Sequence, residues 1–546
     1  MTITLRRNKG VALTHDEVDD NFTHLNNAVP ISVKQAPYNA VGDGVTDDTA
    51  AIQAALNTGN RIYCPAGTYL ISNALTVTAS NTGLVGDGRG TIIKTSSGTA
   101  DIFTIGDGTN EISGLQFRDF RLWATVAKSA GYAFNCRLTS DSVWEEVRAG
   151  SVDDYTTDGH RLYNGYYFDR FSQLAVLGGE IVVSNDALKA RGKSDQSFGA
   201  ELSLDDGLRI YVAGAKAVWL GGACGGVHLG RVDISSCRYG LYIDDTLQSG
   251  VPNREAFVSP SCTIDSCTGW GINLESNAIS FLEIDGAWIA GNGGAVTSEG
   301  GIRVAPSSTA VVPEIRMTGA VVYSNYYDGV QINEATLVIT GCIVRNNGTD
   351  AAVGGHGINI ASSDVTRSTI HDNYIHSNGN GVRGYGTTIA ASTDNFSVQG
   401  NNFTGNGQAA INNDAGISAT KIIQNNLGYN SSWVGYTPTV TAAAGTITTA
   451  SATGRWWKVD RTVHFQQEVT ITTNGTGATA VRATLPPFTP AANFVIAGRE
   501  NNATGNLLCG LIPSAGTYVS ITNYDNSYPG ADGRLLILSG SYEATT

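Results

Sequence analysis

The sequence predicts an all-β chain wound as a parallel β-solenoid, with a short helical segment and a capping helix at its start and a β-sandwich at its end. Three observations carry this reading. First, a small residue precedes a bulky apolar one at Gly240-Leu241, Gly271-Ile272, Gly301-Ile302, Gly329-Val330, Gly357-Ile358, Gly381-Val382 and Ala410-Ile411, in steps of 31, 30, 28, 28, 24 and 29. A period of this length marks a solenoid, whose repeats bury their apolar faces only by stacking. Second, the residues around each pair read as short strands separated by Asn- and Gly-rich turns, so the coil is β. Third, the pattern changes near residue 430 to longer alternating runs such as Val463-His464-Phe465-Gln466-Gln467-Glu468-Val469-Thr470-Ile471, which suit antiparallel strands of a compact sandwich.

In chain order, residues 1–31 form a first segment. Thr14 is placed to cap a short helix, with Glu17 completing a capping box and Val18, Phe22 and Leu25 forming one apolar stripe. Residues 32–430 are assigned to the solenoid. It opens on Gly42-Asp43-Gly44-Val45-Thr46-Asp47-Asp48, where Thr46 or Asp47 can cap a helix near 47–57 that points Ile52, Ala55 and Leu56 one way. A helix laid across an open solenoid end blocks the unpaired strand edge. Asp43, Asp47 and Asp48 are therefore read as turn and cap residues. Between 100 and 240 the period is less regular, with Gly131-Tyr132 and Gly165-Tyr166 resembling the later pairs. Residues 431–546 form the sandwich.

Composition narrows the function. Lys and Arg number 34 against 48 Asp and Glu, a net charge of −14, which disfavours nucleic acid and anionic bilayers as partners. No run of about 20 apolar residues is available for membrane insertion. Residues 1–8 show a basic pair without the apolar run of a signal peptide. The eight cysteines lack metal-ligand or paired spacing and read as reduced, mostly buried side chains. Neither metal nor cofactor is expected.

The stretch Gly42-Asp43-Gly44-Val45-Thr46-Asp47-Asp48-Thr49-Ala50-Ala51-Ile52, followed by Pro65-Ala66-Gly67-Thr68-Tyr69, resembles the entry segment of the pectate-lyase-like superfamily in the version used by bacteriophage tailspikes. Leu13 to Phe22 is similar to attachment segments of phage tail fibres, and Gly435-Tyr436-Thr437-Pro438 onward resembles small sandwiches at tailspike C-termini. The resemblance implies a homotrimer of right-handed parallel β-helices, held in the virion tail or baseplate through residues 1–31 after assembly in the host cytoplasm. It also implies a bacterial capsular polysaccharide or lipopolysaccharide O-antigen as partner, often cleaved. It carries no catalytic motif onto particular residues of this chain.

The site is therefore sought by register. Aligning the pairs gives an outward column of Tyr242, Asn273, Arg303, Gln331, Asn359, Arg383 and Asn412, and a second of Asp244, Glu275, Ala305, Asn333 and Ala361. Amide and guanidinium groups in file suit sugar hydroxyls and carboxylates. A second strand, preceding Gly286, Gly319, Gly341, Asn373 and Asn401, turns Glu283 and Asp285 outward in one coil and Glu314 and Arg316 in the next. Rungs lie about 4.8 Å apart, and residues two apart on a strand roughly 6.5–7 Å. Glycoside hydrolysis needs two carboxyl groups across the bond. Glu283, Asp285 and Glu314 are thus candidate catalytic residues, with a structural ladder to Arg316 as the alternative, and Asp244 with Glu275 form a second candidate pair. Arg303, Arg316, Tyr242, Asn273 and Gln331 are candidate substrate ligands, with Trp288 and Tyr326 as stacking platforms beside Tyr323 and Tyr327. The insertion from Asp153 to Arg170, including His160, is rich in sugar-binding residue types. Endo-glycosidic hydrolysis is the leading expectation; β-elimination by a polysaccharide lyase and a non-cleaving receptor-binding tail protein stay open.

Overall fold

A computed structural model describes residues 11–19, 21 and 30–545, apart from 151–160, 194–199, 212, 249–250, 276–278, 295–297, 307–311, 350–354, 380–383, 392, 417–419, 430–432 and 460. The chain divides into two compact units, Met1–Thr393 with Thr404–Asn412, and Asp394–Phe403 with Asn413–Thr546. The sequence had drawn this boundary at residue 430.

The first unit is a parallel solenoid whose coils contribute to three sheets in turn. Sheet 1 holds the small–apolar pairs, in strands such as Tyr239–Ile243, Ile272–Glu275 and Ile302–Ala305. Sheet 2 follows with Asn253–Val258, Ile279–Asp285 and Glu314–Thr318, and sheet 3 with Thr263–Asp265, Trp288–Ala290 and Val321–Tyr323. Every pairing described in this unit is parallel, so each coil stacks on the next in register.

The pair column is longer than the sequence reading made it. Phe103, Phe134, Tyr166, Leu188, Val218, Leu241, Ile272, Ile302, Val330, Ile358 and Thr387 are successive cross-strand partners. Ala133, Ala187 and Ala217 stand in the small position of the earlier coils. Two readings are corrected here. Gly131-Tyr132 falls two residues short of the column, which Ala133-Phe134 occupies. In the penultimate coil the pair is Gly386-Thr387, so Thr388, not Arg383, is the partner of Asn359; Arg383 lies outside the described residues. The earlier coils fill the interior with stacked aromatic rings, Phe103, Phe117, Phe134, Trp144, Tyr166 and Phe168 among them, whereas later coils use Ile, Leu and Val.

The bend after sheet 3 explains the glycines. Ser266, Gly291, Ser324, Asn346 and Ser377 adopt left-handed backbone there. The next residues in the later coils, Asn292, Asn325, Asn347 and Asn378, are fully buried and form an amide ladder. Asn325 is typical: Nδ2 donates to Ile289 O (3.2 Å) and Asn347 Oδ1 (2.8 Å), while Oδ1 accepts from Asn292 N (3.0 Å) and Asn292 Nδ2 (3.1 Å). A buried amide left unpaired costs about 1–3 kcal/mol, so the ladder is complete or unfavourable. A Cβ at Gly329 would lie 2.7 Å from Asn347 Nδ2, and one at Gly357 2.7 Å from Asn378 Nδ2. The small residue of the motif is the space the ladder needs.

At the bend after sheet 2, Gly286, Gly319 and Gly341 have φ of +60°, +60° and +63°. The sequence placed Asn373 and Asn401 in this series. The left-handed residues there are Asp372 and Gly400, one position earlier. Asn373 instead points inward, accepting from Cys342 N (2.8 Å) and donating to Ile339 O (2.9 Å).

Residues 15–19 are helical, and the expected capping box is present: Glu17 N donates to Thr14 Oγ1 (3.2 Å) and Thr14 N to Glu17 Oε2 (2.9 Å). Phe22 and Leu25 lie outside the described residues. The capping helix spans Thr49–Leu56 and buries Ile52, Ala55 and Leu56. Its Gln53 amide pairs with both backbone groups of Thr76 on the strand Leu75–Val77 (2.9 and 2.7 Å), acting as one residue of a missing strand. The three aspartates before it serve backbone N–H groups: Asp43 those of Val45 and Thr46, Asp47 that of Thr49, and the buried Asp48 those of Val41 and Gly42.

In the second unit, nine antiparallel strands from Val434–Tyr436 to Arg534–Glu543 form a single curled sheet around a core that includes Phe465, Val469, Leu536 and Tyr542. Among the described residues, no helix is long and apolar enough to cross a membrane. Seven of the eight cysteines are buried, and the described structure joins none of them in a disulfide.

Candidate functional site

On sheet 1 the residue after each apolar partner points away from the core. Tyr167, Lys189, Trp219, Tyr242, Asn273, Arg303, Gln331 and Asn359 are successive partners in one column. Register alone places them there, since strand alternation puts every such residue on the same side. Five of the eight were read from the sequence. Tyr167, Lys189 and Trp219 were missed because the small residue before them is glycine only once, and alanine in the coils of Lys189 and Trp219.

Glu275, two residues beyond Asn273, is the focus of the column. Its carboxylate accepts from Tyr242 Oη (2.6 Å), Asn273 Nδ2 (3.1 Å) and Arg303 Nη1 (2.7 Å), three donors from three consecutive rungs. Burial pushes its pKa up, but the bonds from Tyr242, Asn273 and Arg303 outweigh it and hold the carboxyl below its ordinary value. Burial, and then the same bond to Glu275, pushes the Tyr242 phenol far above its ordinary value. Asp244, on the preceding coil and buried, accepts from Trp219 Nε1 (2.8 Å) and Thr246 Oγ1 (2.7 Å).

Two lysines frame the rings. Lys216 Nζ lies 3.4 Å from the Trp219 ring centre and 4.3 Å from that of Tyr242; Lys189 Nζ lies 4.4 Å from Trp219 and 5.2 Å from Tyr167. Burial holds both ammonium groups below their ordinary pKa. The face thus combines an ionised carboxylate, a second carboxylate one rung away, cations and an aromatic platform. It can stack a sugar ring, bind an acidic substituent and present a fixed anion to a reacting carbon.

The other candidates lie elsewhere. On sheet 2, Glu283 is the direct partner of Arg316, Phe281 that of Glu314, and Asp285 that of Thr318. Arg316 is 3.9 Å from Glu283 and 4.0 Å from Glu314, and close to half of its side chain is exposed. Trp288 and Tyr326 do not share this face: the chain turns at Gly286, and Trp288 begins the sheet 3 strand. There its Nε1 donates to Asp265 Oδ2 (3.2 Å) and its ring lies 5.7 Å from Tyr323. Tyr326 is exposed in the turn beyond. Of the insertion, 151–160 lie outside the described residues; Tyr166 and Phe168 are core residues, and Asp169 pairs with Arg191.

Comparison with known proteins fits this architecture. Residues 31–121 match the family model described as rhamnogalacturonase A/epimerase, pectate lyase-like. The pre-neck appendage protein of Bacillus phage phi29 is 45% identical over 65 residues, 12% of this chain and 7% of that protein. Mannuronan C5-epimerase AlgE2 of Azotobacter vinelandii is 46% identical over 70 residues, 10% of this chain and 7% of that protein. Among solved structures, the Dettilon tailspike protein superimposes with a TM-score of 0.50 at 16% identity, covering 97% of this chain and 96% of that one. Tailspike protein 3 of bacteriophage CBA120 gives 0.52 at 14% identity, covering 76% and 63%. The chain has a parallel β-helix fold similar to that of these two tailspike proteins, with the pectate-lyase-like match confined to residues 31–121.

Proposed function

We propose that this protein is a phage tail component that binds a bacterial surface polysaccharide, capsule or O-antigen, along sheet 1 and hydrolyses its internal glycosidic bonds. The observation that carries the reading is Glu275, held ionised by donors from three rungs beside the Trp219–Tyr242 platform. An anion fixed in this way suits the nucleophile of a retaining hydrolysis, and Asp244, one backbone rung of about 4.8 Å away, is the second carboxyl group that such a reaction needs. Arg303 and Gln331 then bind the chain along the column, while the buried Asn273 orients Glu275. Residues 1–31 serve attachment to the tail or baseplate. The exposed Val495, Leu507 and Leu511 of the second unit suit contact between copies in a trimer. The test is to incubate the protein with purified capsules and O-antigens and analyse the released ends: new reducing ends without unsaturation support hydrolysis, and an unchanged polymer size refutes cleavage.

A specific observation favours a second reading, β-elimination on a uronate-bearing chain. Burial lowers the pKa of Lys216, which makes its amine a better base at moderate pH, while Arg303 is placed to neutralise a uronate. This reading requires an unsaturated uronate at the new end, which is detected by its ultraviolet absorbance.

A further inference from the structure

We infer that the second unit carries a carbohydrate-binding site of its own, on the outer face of its curled sheet, for a neutral pyranose unit of a polysaccharide. The site lies on the strands Thr449–Val459 and Thr462–Thr473, with Trp433 just before the strand Val434–Tyr436. Val463, Phe465 and Gln467 are buried, so alternation turns His464, Gln466 and Glu468 outward. Their direct partners are Trp457, Arg455 and Thr453.

Two features coincide there. The Trp457 and His464 rings are stacked, 4.2 Å apart and 14° from parallel, and Trp433 stands edge-on to Trp457 at 6.4 Å. Trp433 is 42% exposed, so part of the indole is open to solvent beside these rings. Beside the rings is a cleft walled by Thr453, Arg455, Gln466 and Glu468 and floored by Gly454 and Gln467. Arg455 lies 4.7 Å over the Trp433 ring and donates Nε and Nη2 to Gln466 Oε1 (2.9 and 2.6 Å), which fixes the amide against the platform.

A pyranose has one apolar CH face and a rim of hydroxyls. A ring platform bordered by hydroxyl, amide, guanidinium and carboxylate groups matches both. The cleft sets one cation, Arg455, against one anion, Glu468, which fits an uncharged sugar.

The test uses the full chain with dextran, galactan and mannan as probes, followed by tryptophan fluorescence and saturation-transfer NMR. Binding of at least one probe is expected. Trp457→Ala and Gln466→Ala should each weaken it, the tryptophan change by about tenfold, while Glu275→Gln leaves it unchanged. That last arm separates this site from the proposed sheet 1 site, since failure of either leaves the other standing. The inference is overturned if none of the three probes binds, if both second-unit variants bind normally, if Glu275→Gln abolishes binding, or if Trp457→Ala alters the sedimentation of the protein, which would make this face a contact between copies.

Discussion

Sheets 1 and 2 of the solenoid both carry acidic and basic residues in file, yet they treat charge in opposite ways. On sheet 1, Glu275 is saturated by three donors and two lysines are packed between rings. On sheet 2, Glu283, Glu314 and Arg316 meet at 3.9–4.0 Å, the outer limit of an ion pair, with much of each side chain in water. Exposed pairs of this kind contribute about 0–1 kcal/mol and do little to fix a charge in place. Catalysis is helped by groups already oriented before substrate arrives, and of these two faces the first holds its carboxylate by more donors. The proposed site therefore rests on the number of donors that converge on one carboxylate and not on charge density in the sequence.

The largest effect is expected at the centre of the first face. Glu275→Gln should lower turnover by about a thousandfold or more, as loss of a reacting group does, with the melting temperature little changed. Oligosaccharide release and thermal unfolding measure the two. Full activity in this variant would remove sheet 1 from the chemistry.

Lys216 sharpens the comparison through pH. Its depressed pKa means that the ammonium loses its proton at lower pH than an ordinary lysine. If it binds an acidic chain as a cation, affinity falls as pH rises through that pKa. If it is the base of an elimination, the rate rises over the same interval. Lys216→Met should remove whichever dependence is present and, if the lysine is the base, cost about a hundredfold or more. A profile identical to the parent protein's would leave Lys216 with packing alone.

Asp328 tests the burial of charge on sheet 1. It is fully buried, accepts from His356 N and Asn359 Nδ2 (both 2.7 Å), and has its pKa pushed by burial from 3.8 to about 6. The folded state therefore holds this proton more tightly than the unfolded one. The stabilisation is complete below pH 3.8 and is lost as pH rises to about 6, a change on the order of 1–3 kcal/mol. Asp328→Asn should flatten that segment of the stability profile measured by chemical denaturation.

The fold was legible because its geometry is periodic. A glycine that makes room for a buried asparagine recurs at Gly271, Gly301, Gly329 and Gly357. The earlier coils hid the same register because Ala133, Ala187 and Ala217 replace glycine and aromatic rings replace aliphatic cores. Lys189 and Trp219 were lost with it. The column Tyr242, Asn273, Arg303 and Gln331 came out in the correct register because neighbouring strands differ by whole coils. What strand alternation does not give is convergence. That Tyr242 and Arg303 both reach Glu275, while Trp288 is turned away from Glu283 by the bend at Gly286, depends on side-chain reach and on where each sheet ends.

The smallest effect is expected on the second face, and it is the most informative. Glu283→Gln and Asp285→Asn should each change turnover by no more than about twofold and stability by less than about 1 kcal/mol, since Glu283 meets Arg316 only at 3.9 Å and Asp285 is exposed. The sequence offered Glu283, Asp285 and Glu314 as candidates, with a structural ladder to Arg316 as the alternative, beside the pair Asp244 and Glu275. A large loss in either variant, with Glu275→Gln active, would reverse the comparison: loosely held carboxylates would then be ordered by the bound polymer, and the tight network on sheet 1 would be a structural clamp. Parallel rate measurements on the three variants with one capsule substrate distinguish a preformed site from one assembled by its ligand.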